Sequence, residues 1–241
     1  MNYYLYCVTE KLSEFDRSTP GILDQLVEII SFDEFDVVVS ELGEPTVPVT
    51  RENVLRHESV VRKVLVEKTP LPFRFGTIVG KEGIEGFVRG RRPALVERLG
   101  KVRGCVELSV KVIWSPVEVE DDISEPDQGE ELGAGAAFLA AKRKELLGNQ
   151  KLTVEAARIS EWLRELLSDV AGNQMVNVQP KEKLVFAGAY LVARERVPEF
   201  REKLTQAMAE RPDLHFLSSG PWPPYTFANI DLEFKTQFGV S

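Results

Sequence analysis

This chain has few of the residues that carry catalytic chemistry. Its 241 residues include only two histidines and two cysteines. His57 falls on a predicted helical stripe, where a hydrogen-bonded core or interface histidine is favoured over a catalytic base or a metal ligand. His215 has no cysteine or histidine partner at the spacing of a metal site, and no G-x-S-x-G, H-E-x-x-H or dinucleotide-binding motif occurs. We therefore expect no catalytic residue, no metal, no cofactor and no enzymatic activity.

One stretch resembles a phosphate-binding loop but lacks its chemistry. Residues 76–83 read GTIVGKEG, with three residues instead of four between Gly76 and Gly80. Glu82 stands where that motif has a magnesium-binding hydroxyl, and its carboxylate would repel a phosphate. We expect no nucleotide site here.

The chain also lacks a long apolar run. None approaches the roughly 18 residues that span a bilayer, so we expect no lipid membrane partner. The start, MNYYLYCVTE, has neither the basic region nor the long apolar region of a signal peptide. We therefore expect an intracellular, cytoplasmic location. Cys7 and Cys105 fall in predicted strands and are expected to be buried free thiols, with a disulfide as the less favoured alternative.

Acidic residues are concentrated in one segment, whereas basic residues are not concentrated anywhere. Residues 1–116 hold 16 basic and 17 acidic side chains, and residues 132–241 hold 14 and 13. The stretch VEVEDDISEPDQGEE at 117–131 has eight acidic side chains and no basic one, which accounts for the net charge of −8. We predict a solvated linker there, with an acidic docking segment as the alternative. Neither half has the basic patch that nucleic-acid binding requires.

The first half has the pattern of strands interrupted by two helices. Thr50 is a predicted helix cap, the stripe of Val54, His57, Val61 and Val64 follows, and Thr69-Pro70 ends this helix. A second helix is predicted to reach about Leu99. The predicted strands are 3–8, 26–30 and 35–40 (a hairpin), 73–80 and 105–114. This order predicts an α+β sandwich with both helices on one sheet face, ferredoxin-like in character.

The second half predicts another small α+β unit. A helical segment at 133–147 precedes an apolar seam, with Gly148-Asn149 as a possible break. The seam residues are Leu152, Ala156, Ile159, Leu163, Leu166 and Val170. Strands are predicted at 175–179, 184–192 and 214–219, and a helix at 197–211. The strand at 184–192 is apolar on both faces and is therefore predicted to be central. The whole chain thus reads as two α/β-sandwich domains, 1–116 and 132–241, joined by the acidic linker and a long helix.

Several stretches, taken in order, resemble the GvpL/GvpF family of gas vesicle proteins. They are YLY near the start, TRENVLRHESVVRKVL leading into TPLPFRFGTIV, SVKVIW, GAGAAFLAAKRKEL, LVFAGAYLV and GPWPPYTFANID. The helix with LPFRFGTIV and the PPYTFA stretch are specific when they occur together. The resemblance covers most of the chain, and the tail at 232–241 continues past it.

The resemblance implies a function in forming gas vesicles, the gas-filled protein shells that make prokaryotic cells buoyant. It implies a non-catalytic accessory or minor structural protein, without a cofactor, located at the gas vesicle. The implied partners are the hydrophobic main gas vesicle shell protein and other gas vesicle accessory proteins. The alternative from a different class is a regulatory or enzymatic α+β protein that binds a small molecule between its domains.

Arg74 lies between Phe73 and Phe75 in the predicted strand, so the two rings should share one face and the arginine the other. The favoured interpretation is a partly buried ion pair with Glu52, with Glu58 or with the second domain. A contact to a partner protein and an anion-binding catalytic arginine are the alternatives.

The stretch GPWPPYTF at 220–227, named here the aromatic strap, carries large rings on an extended path. We expect the strap to pack on its own domain, with an exposed patch for the shell protein as the alternative. The tail at 232–241 offers Leu232, Phe234, Phe238 and Val240 for the same contact. The residues predicted as partner contacts are Arg74, Trp222, Tyr225, Phe234 and Phe238.

Overall fold

The computed structural model describes residues 1–16, 18–114, 134–178, 184–228 and 230. In residues 134–149 it describes the backbone and, among the side chains, that of Lys142 alone. The described residues form two compact units. Unit 1 holds Met1–Leu108, Leu191–Glu195 and the described residues from Ser219 on, and unit 2 holds the described residues of Ser109–Tyr190 and Arg196–Ser218.

The two units do not contain the same residues as the two predicted domains. We placed the aromatic strap in the C-terminal domain, whereas the residues from Ser219 on are grouped with unit 1. The segment at 117–131 lies outside the described residues. Its function as a linker, and the separate folding of the two halves, therefore stay predictions that limited proteolysis would test.

Unit 1 is built around a five-stranded antiparallel sheet. Its strands are β1 (Asn2–Glu10), β2 (Glu28–Ser31), β3 (Phe35–Leu42), β4 (Leu71–Pro72) and β5 (Ile78–Gly80). The order is β2-β3-β1, and β4 and β5 both pair with β1, at different residues. The predicted hairpin is confirmed, because β2 pairs with β3 from Glu28 opposite Val39 to Ser31 opposite Asp36.

Two helices cover opposite faces of this sheet. They are α1 (Arg51–Glu67) and α2 (Lys81–Val102). Tyr4, Tyr6 and Cys7 of β1 pack in a cluster with three valines of α1, which are Val60, Val61 and Val64. Tyr3, Leu5 and Val8 pack in the second cluster with side chains of α2, among them Ile84, Phe87 and Leu95.

The prediction that both helices lie on one sheet face is therefore wrong. Strand β1 is buried from Tyr3 to Val8, so each of its faces needs an apolar cover. Its register shifts between Leu5 and Cys7, and this irregularity places Tyr6 and Cys7 in the same cluster. The strict alternation of a regular strand does not hold there.

Helix α1 begins where the sequence predicts. The Thr50 side chain accepts a hydrogen bond from the backbone N–H of Asn53 at 3.2 Å, and the helix ends at Glu67 before Thr69-Pro70. Its buried face includes His57 and Val61, as predicted. Val54, however, is 40% exposed and does not belong to that face.

The stretch LPFRFGTIV is not one strand. Strands β4 and β5 are separated by a turn in which the Thr77 backbone N–H donates to the Arg74 carbonyl at 3.2 Å. Gly76 supplies the positive φ of 85° that such a turn requires at its third position. Phe73 consequently packs with α2 and Phe75 with α1, so the prediction of a shared face is wrong.

Unit 2 carries most of a second four-stranded antiparallel sheet, in the order β7-β8-β6-β9. Further elements are β6 (Cys105–Trp114), α3 (Ala134–Leu166), β7 (Ala171–Asn177), β8 (Leu184–Ala193), α4 (Val197–Glu210) and β9 (Leu214–Trp222). One end of each of the strands β6, β8 and β9 is grouped with unit 1. Strand β8 is internal to the sheet, as predicted. Helix α3 runs through Gly148-Asn149 without a break.

The core of unit 2 contains most of the predicted seam of α3. Ala156, Ile159, Leu163 and Val170 are buried, whereas Leu152 is 39% exposed. Leu167 is buried in place of Leu166, because the chain leaves the helix after Leu166. The prediction of an α+β fold is confirmed.

Candidate interaction surface

The aromatic strap is attached to unit 1 through a buried carboxylate. The backbone N–H and the hydroxyl of Thr226 donate to the two Glu107 carboxylate oxygens, at 2.8 Å and 2.7 Å. Thr226 lies in the short helix α5 (Tyr225–Ala228), whose other three backbone N–H groups donate to the carbonyls of Pro223 and Pro224. Burial raises the pKa of Glu107, and the two bonds from Thr226 partly offset this.

Backbone geometry and core packing also hold the strap. Gly220 has a φ of 117°, and a Cβ at this position would lie 2.8 Å from the Glu107 carbonyl oxygen, so only glycine fits. Beyond it, Phe227, Ala228 and Ile230 pack in the cluster that contains the buried side chains of α2. The inner side of the strap is thus part of the core of unit 1.

Trp222 at the outer side of the strap lies against helix α1. The Arg62 guanidinium lies over the indole ring, 4.3 Å from its centroid, and the indole Nε1 donates to Ser219 Oγ at 3.3 Å. Arg62 Nε donates to the Glu58 carboxylate at 3.0 Å, so the guanidinium is held between an anion and a ring.

The outer face of helix α1 exposes apolar side chains next to Trp222. Leu55 is 52% exposed and Val66 is 83% exposed. Together with Ser59 and Arg62 they recur at helical spacing, on the face opposite the core. A shallow cleft of about 470 Å³ follows this face, lined by Leu55, Glu58, Ser59, Arg62, Lys63, Val66 and Trp222.

A second cleft continues the first along the same helix. It measures about 480 Å³ and is lined by Pro20, Arg51, Glu52, Leu55, Arg56 and Ser59. Leu55 and Ser59 line both clefts, so the two clefts adjoin along the helix. We name the residues that line these two clefts the α1 groove.

A buried aromatic cluster lies on the core side of the same helix. His57 is 3% exposed, its Nδ1 is hydrogen-bonded to the Tyr4 hydroxyl at 2.8 Å, and its ring lies near those of Tyr6, Phe75 and Tyr225. Burial lowers the pKa of His57 to about 4, and the Phe73 backbone partly offsets this. Burial raises the pKa of the Tyr4 hydroxyl. At neutral pH the cluster is therefore uncharged and structural.

The predicted contact residues are only partly brought together. Trp222 lies on the α1 groove, and Tyr225 is 38% exposed, with its ring 6.4 Å from that of His57. Arg74 is exposed in the turn between β4 and β5. Phe234 and Phe238 lie outside the described residues.

The expected burial of Arg74 is wrong, and the carboxylates suggested for it bind other arginines. Glu52 pairs with Arg56 at 2.9 Å and Glu58 with Arg62 at 3.0 Å, each within α1 at a spacing of four residues. Such pairs form locally on a helix surface. Each of these glutamates therefore pairs with an arginine one turn away on its own helix.

Sequence reasoning missed Leu55, Arg62 and Val66 as surface residues of interest. The sequence did contain an indication of this surface. Leu55 and Val66 are 11 residues apart, about three helical turns, so they share one face, and that face is otherwise polar. Trp222 adds to this surface through tertiary structure alone.

Neither a metal centre nor a membrane span is found in the part of the chain that the structure describes. No group of three or more histidine, cysteine, aspartate or glutamate side chains is placed there to hold a metal ion. None of the helices in that part is both long and apolar enough to cross a bilayer. Cys7 is a buried free thiol and Cys105 a half-buried one.

The family model for the gas vesicle synthesis proteins GvpL/GvpF matches residues 2–229. The chain belongs to this family. It is 26% identical to gas vesicle protein F1 of Halobacterium salinarum, over 99% of this chain and 98% of that protein. It is 28% identical to gas vesicle protein L of Haloferax mediterranei, over 88% of this chain and 74% of that protein.

The fold agrees with that of a solved family member. The crystal structure of GvpF from Anabaena sp. superposes with a TM-score of 0.75 at 22% identity, over 95% of this chain and 96% of that one. At this identity the likeness concerns the fold alone. Membership of the GvpL/GvpF family assigns the chain a function in gas vesicle formation.

Proposed function

We propose that this protein is a non-catalytic accessory or minor structural component of the gas vesicle that binds the hydrophobic main shell protein through the α1 groove. Trp222 of the aromatic strap forms one wall of the contact. We propose Tyr225 and the tail residues Phe234 and Phe238 as further contacts to the shell protein.

The exposed apolar side chains of the groove are the observation that supports this proposal. Leu55 and Val66 leave more than half of their surface in water, and Trp222 lies in the same cleft. Contiguous apolar surface on a folded domain marks sites of protein–protein contact, and aromatic and arginine side chains carry much of the energy of such contacts.

The balance of charge around the groove favours an apolar contact over a steered electrostatic one. Arg56 is paired with Asp24 at 2.7 Å and Lys63 with Asp16 at 3.2 Å. We therefore expect binding to persist at about 0.5 M salt, where the Debye length is about 4 Å.

Co-expression and pull-down of the shell protein test the proposal. Leu55→Gln with Val66→Gln removes apolar surface from exposed helical positions without adding charge, and we expect binding to fall at least about tenfold. Val154→Gln is the matched control, because Val154 is a helical valine of unit 2 that is 54% exposed. Equal binding by all three proteins would exclude the groove.

A truncation that removes residues 232–241 tests the contribution of the tail. We expect weaker binding with the fold intact, as judged by circular dichroism. If the folded truncation binds as well as the full chain, Phe234 and Phe238 are not contacts, and Trp222 and Tyr225 remain.

A further inference from the structure

The Arg62 guanidinium in the α1 groove is held in place by two neighbours, but some of its hydrogen-bond donors have no acceptor in the described part of the chain. Its Nε donates to Glu58 at 3.0 Å, and its Cζ lies over the Trp222 ring, 4.3 Å from the centroid. Within the described part of the chain, no hydrogen bond is made by its terminal nitrogens Nη1 and Nη2. The side chain is 49% exposed, so these two nitrogens are accessible from the groove.

A guanidinium fixed in this way is suited to a carboxylate. Two parallel N–H groups match the two oxygens of a carboxylate, and a bidentate pair is stronger and more directional than a single hydrogen bond. The ring and Glu58 already restrict the rotamers of Arg62, so less conformational entropy is lost on binding. Glu58 also compensates the arginine charge while the groove is empty.

Apolar positions flank the guanidinium along the helix. Val66 follows Arg62 by one turn, and Leu55 precedes it by two, with the small side chain of Ser59 between. Leu55 and Val66 are thus about 16 Å apart along the helix axis. The groove therefore presents an apolar, a small, a charged and an apolar position in a straight row.

The backbone of the groove limits what can lie in it. The amide and carbonyl groups in the middle of α1 are used within the helix, so the groove offers no edge to an extended peptide. An extended segment would leave its own backbone groups unpaired against apolar side chains, whereas a helix satisfies them internally. The row of positions also matches the ridges of a second helix.

Charge indicates the sign of the side chain that meets Arg62. Four cations (Arg51, Arg56, Arg62 and Lys63) and two anions (Glu52 and Glu58) line the groove, and Asp24 and Asp16 pair with Arg56 and Lys63 at its edge, so the charges of the region balance. The sign is therefore set by Arg62 itself, whose terminal nitrogens can only donate. Arg62 is the cation that lies between Ser59 and Val66 in this row.

We propose that the α1 groove binds an amphipathic helix of the partner protein and that one carboxylate within the apolar stripe of that helix forms a bidentate pair with Arg62. This inference rests on the proposed function and adds the chemistry of the partner segment to it. Leu55, Val66 and Trp222 receive the apolar side chains on either side of the carboxylate.

Variants of Arg62 provide the test, with the main gas vesicle shell protein as the probe in co-expression pull-down. Arg62→Gln is expected to weaken binding about tenfold. Arg62→Lys is expected to weaken it several-fold, because lysine keeps the charge but lacks the two parallel N–H groups of the guanidinium. Arg164 is the matched control, since its side chain is also 49% exposed and ion-paired to a glutamate of its own helix. Arg164→Gln and Arg164→Lys are expected to bind like the unmodified protein.

A double-mutant cycle identifies the carboxylate. Each acidic residue of the shell protein is changed to its amide, and binding is measured to the chain with Arg62 and with Arg62→Gln. One carboxylate is expected to lose its effect when Arg62 is absent. If the unmodified chain does not bind the shell protein, the proposed function fails and this inference with it. Binding that is equal for Arg62 and Arg62→Gln, or purely additive effects, overturns this inference alone.

Discussion

The inner and outer faces of helix α1 both carry apolar side chains, but unit 1 covers only one of them. On the inner face Val60, Val61 and Val64 are fully buried against strand β1. On the outer face Leu55 and Val66 remain in water beside Trp222. Folding alone explains the inner set, because it removes those side chains from water. The outer set contributes nothing comparable to folding, which is why we assign it to binding.

Acid should destabilise the folded protein by protonating His57 on the inner face of α1. Its pKa of about 4 lies below the ordinary value of 6.5, so the unfolded chain binds the proton more tightly than the folded one. The stability that depends on neutral His57 is complete above pH 6.5 and is lost as the pH falls toward 4, by up to about 3 kcal/mol.

Denaturant unfolding across this pH range measures the effect. In the His57→Gln variant, the free energy of unfolding should no longer fall between pH 6.5 and 4 by the amount that His57 contributes. His215→Gln is the control, because it makes the same substitution at an exposed histidine. An unchanged profile for His57→Gln would show that His57 is not the group responsible.

Truncating one valine on each face compares the faces directly. Val64→Ala should destabilise the protein by about 2–3 kcal/mol, because it removes two buried methyl groups and leaves a cavity. Val66→Ala should change stability by no more than about 0.5 kcal/mol but reduce shell-protein binding. Thermal unfolding and pull-down on the same two variants give the result. Comparable destabilisation by both would remove the distinction between the faces.

The aromatic strap shows the same contrast, with a buried inner attachment and an outer ring. Glu107→Gln leaves one uncharged acceptor oxygen where the Thr226 N–H and hydroxyl donate to two carboxylate oxygens, and we expect a loss of about 1–2 kcal/mol. Hydrogen exchange at the Thr226 amide should become faster. Thr205→Val is a control, since its hydroxyl bonds only the carbonyl one helical turn earlier. Full protection of Thr226 in the Glu107→Gln variant would mean that the carboxylate does not hold the strap.

The raised pKa of Glu107 adds a pH dependence of opposite sign to that of His57. The folded chain binds this proton more tightly than the unfolded one, so the stability contributed by protonated Glu107 is present at low pH. It is lost as the pH rises through the folded-state pKa. Glu107→Gln should remove this component of the profile.

Arg74 should give the smallest effect. It is exposed in the turn between β4 and β5, so Arg74→Ala should alter stability by no more than about 0.5 kcal/mol. Loss of one partner of a partly buried ion pair would cost about 3–5 kcal/mol. Thermal unfolding checks it, and a loss of several kcal/mol would mean that the side chain acts in folding after all. A loss of shell-protein binding without a change in stability would add Arg74 to the contact surface.

Much of the fold follows from local sequence signals. The cap at Thr50, the stop at Thr69-Pro70 and the hairpin of β2 and β3 were predicted within a few residues, since each depends on neighbours in the chain. The turn at Arg74–Thr77 was missed. A β-branched run with glycine at each end is typical of a strand, and the positive φ of Gly76 is a detail that the pattern does not reveal.

The candidate surface was predictable only in part. Trp222 and Tyr225 were found because aromatic residues in a proline-rich stretch are conspicuous. Leu55, Arg62 and Val66 were not, because on a helix of mixed composition their exposure depends on which face the sheet covers.

The sequence by itself determined the α+β class, the bounds of helix α1 and the family, because these depend on residue types and short spacings. Only the tertiary structure decided that α1 and α2 cover opposite faces of the first sheet and that the strap belongs to unit 1. The strap is held by hydrogen bonds between Glu107 and Thr226, which are 119 residues apart. No local rule pairs two such residues, since the free energy of their contact depends on burial that exists only once the core has formed.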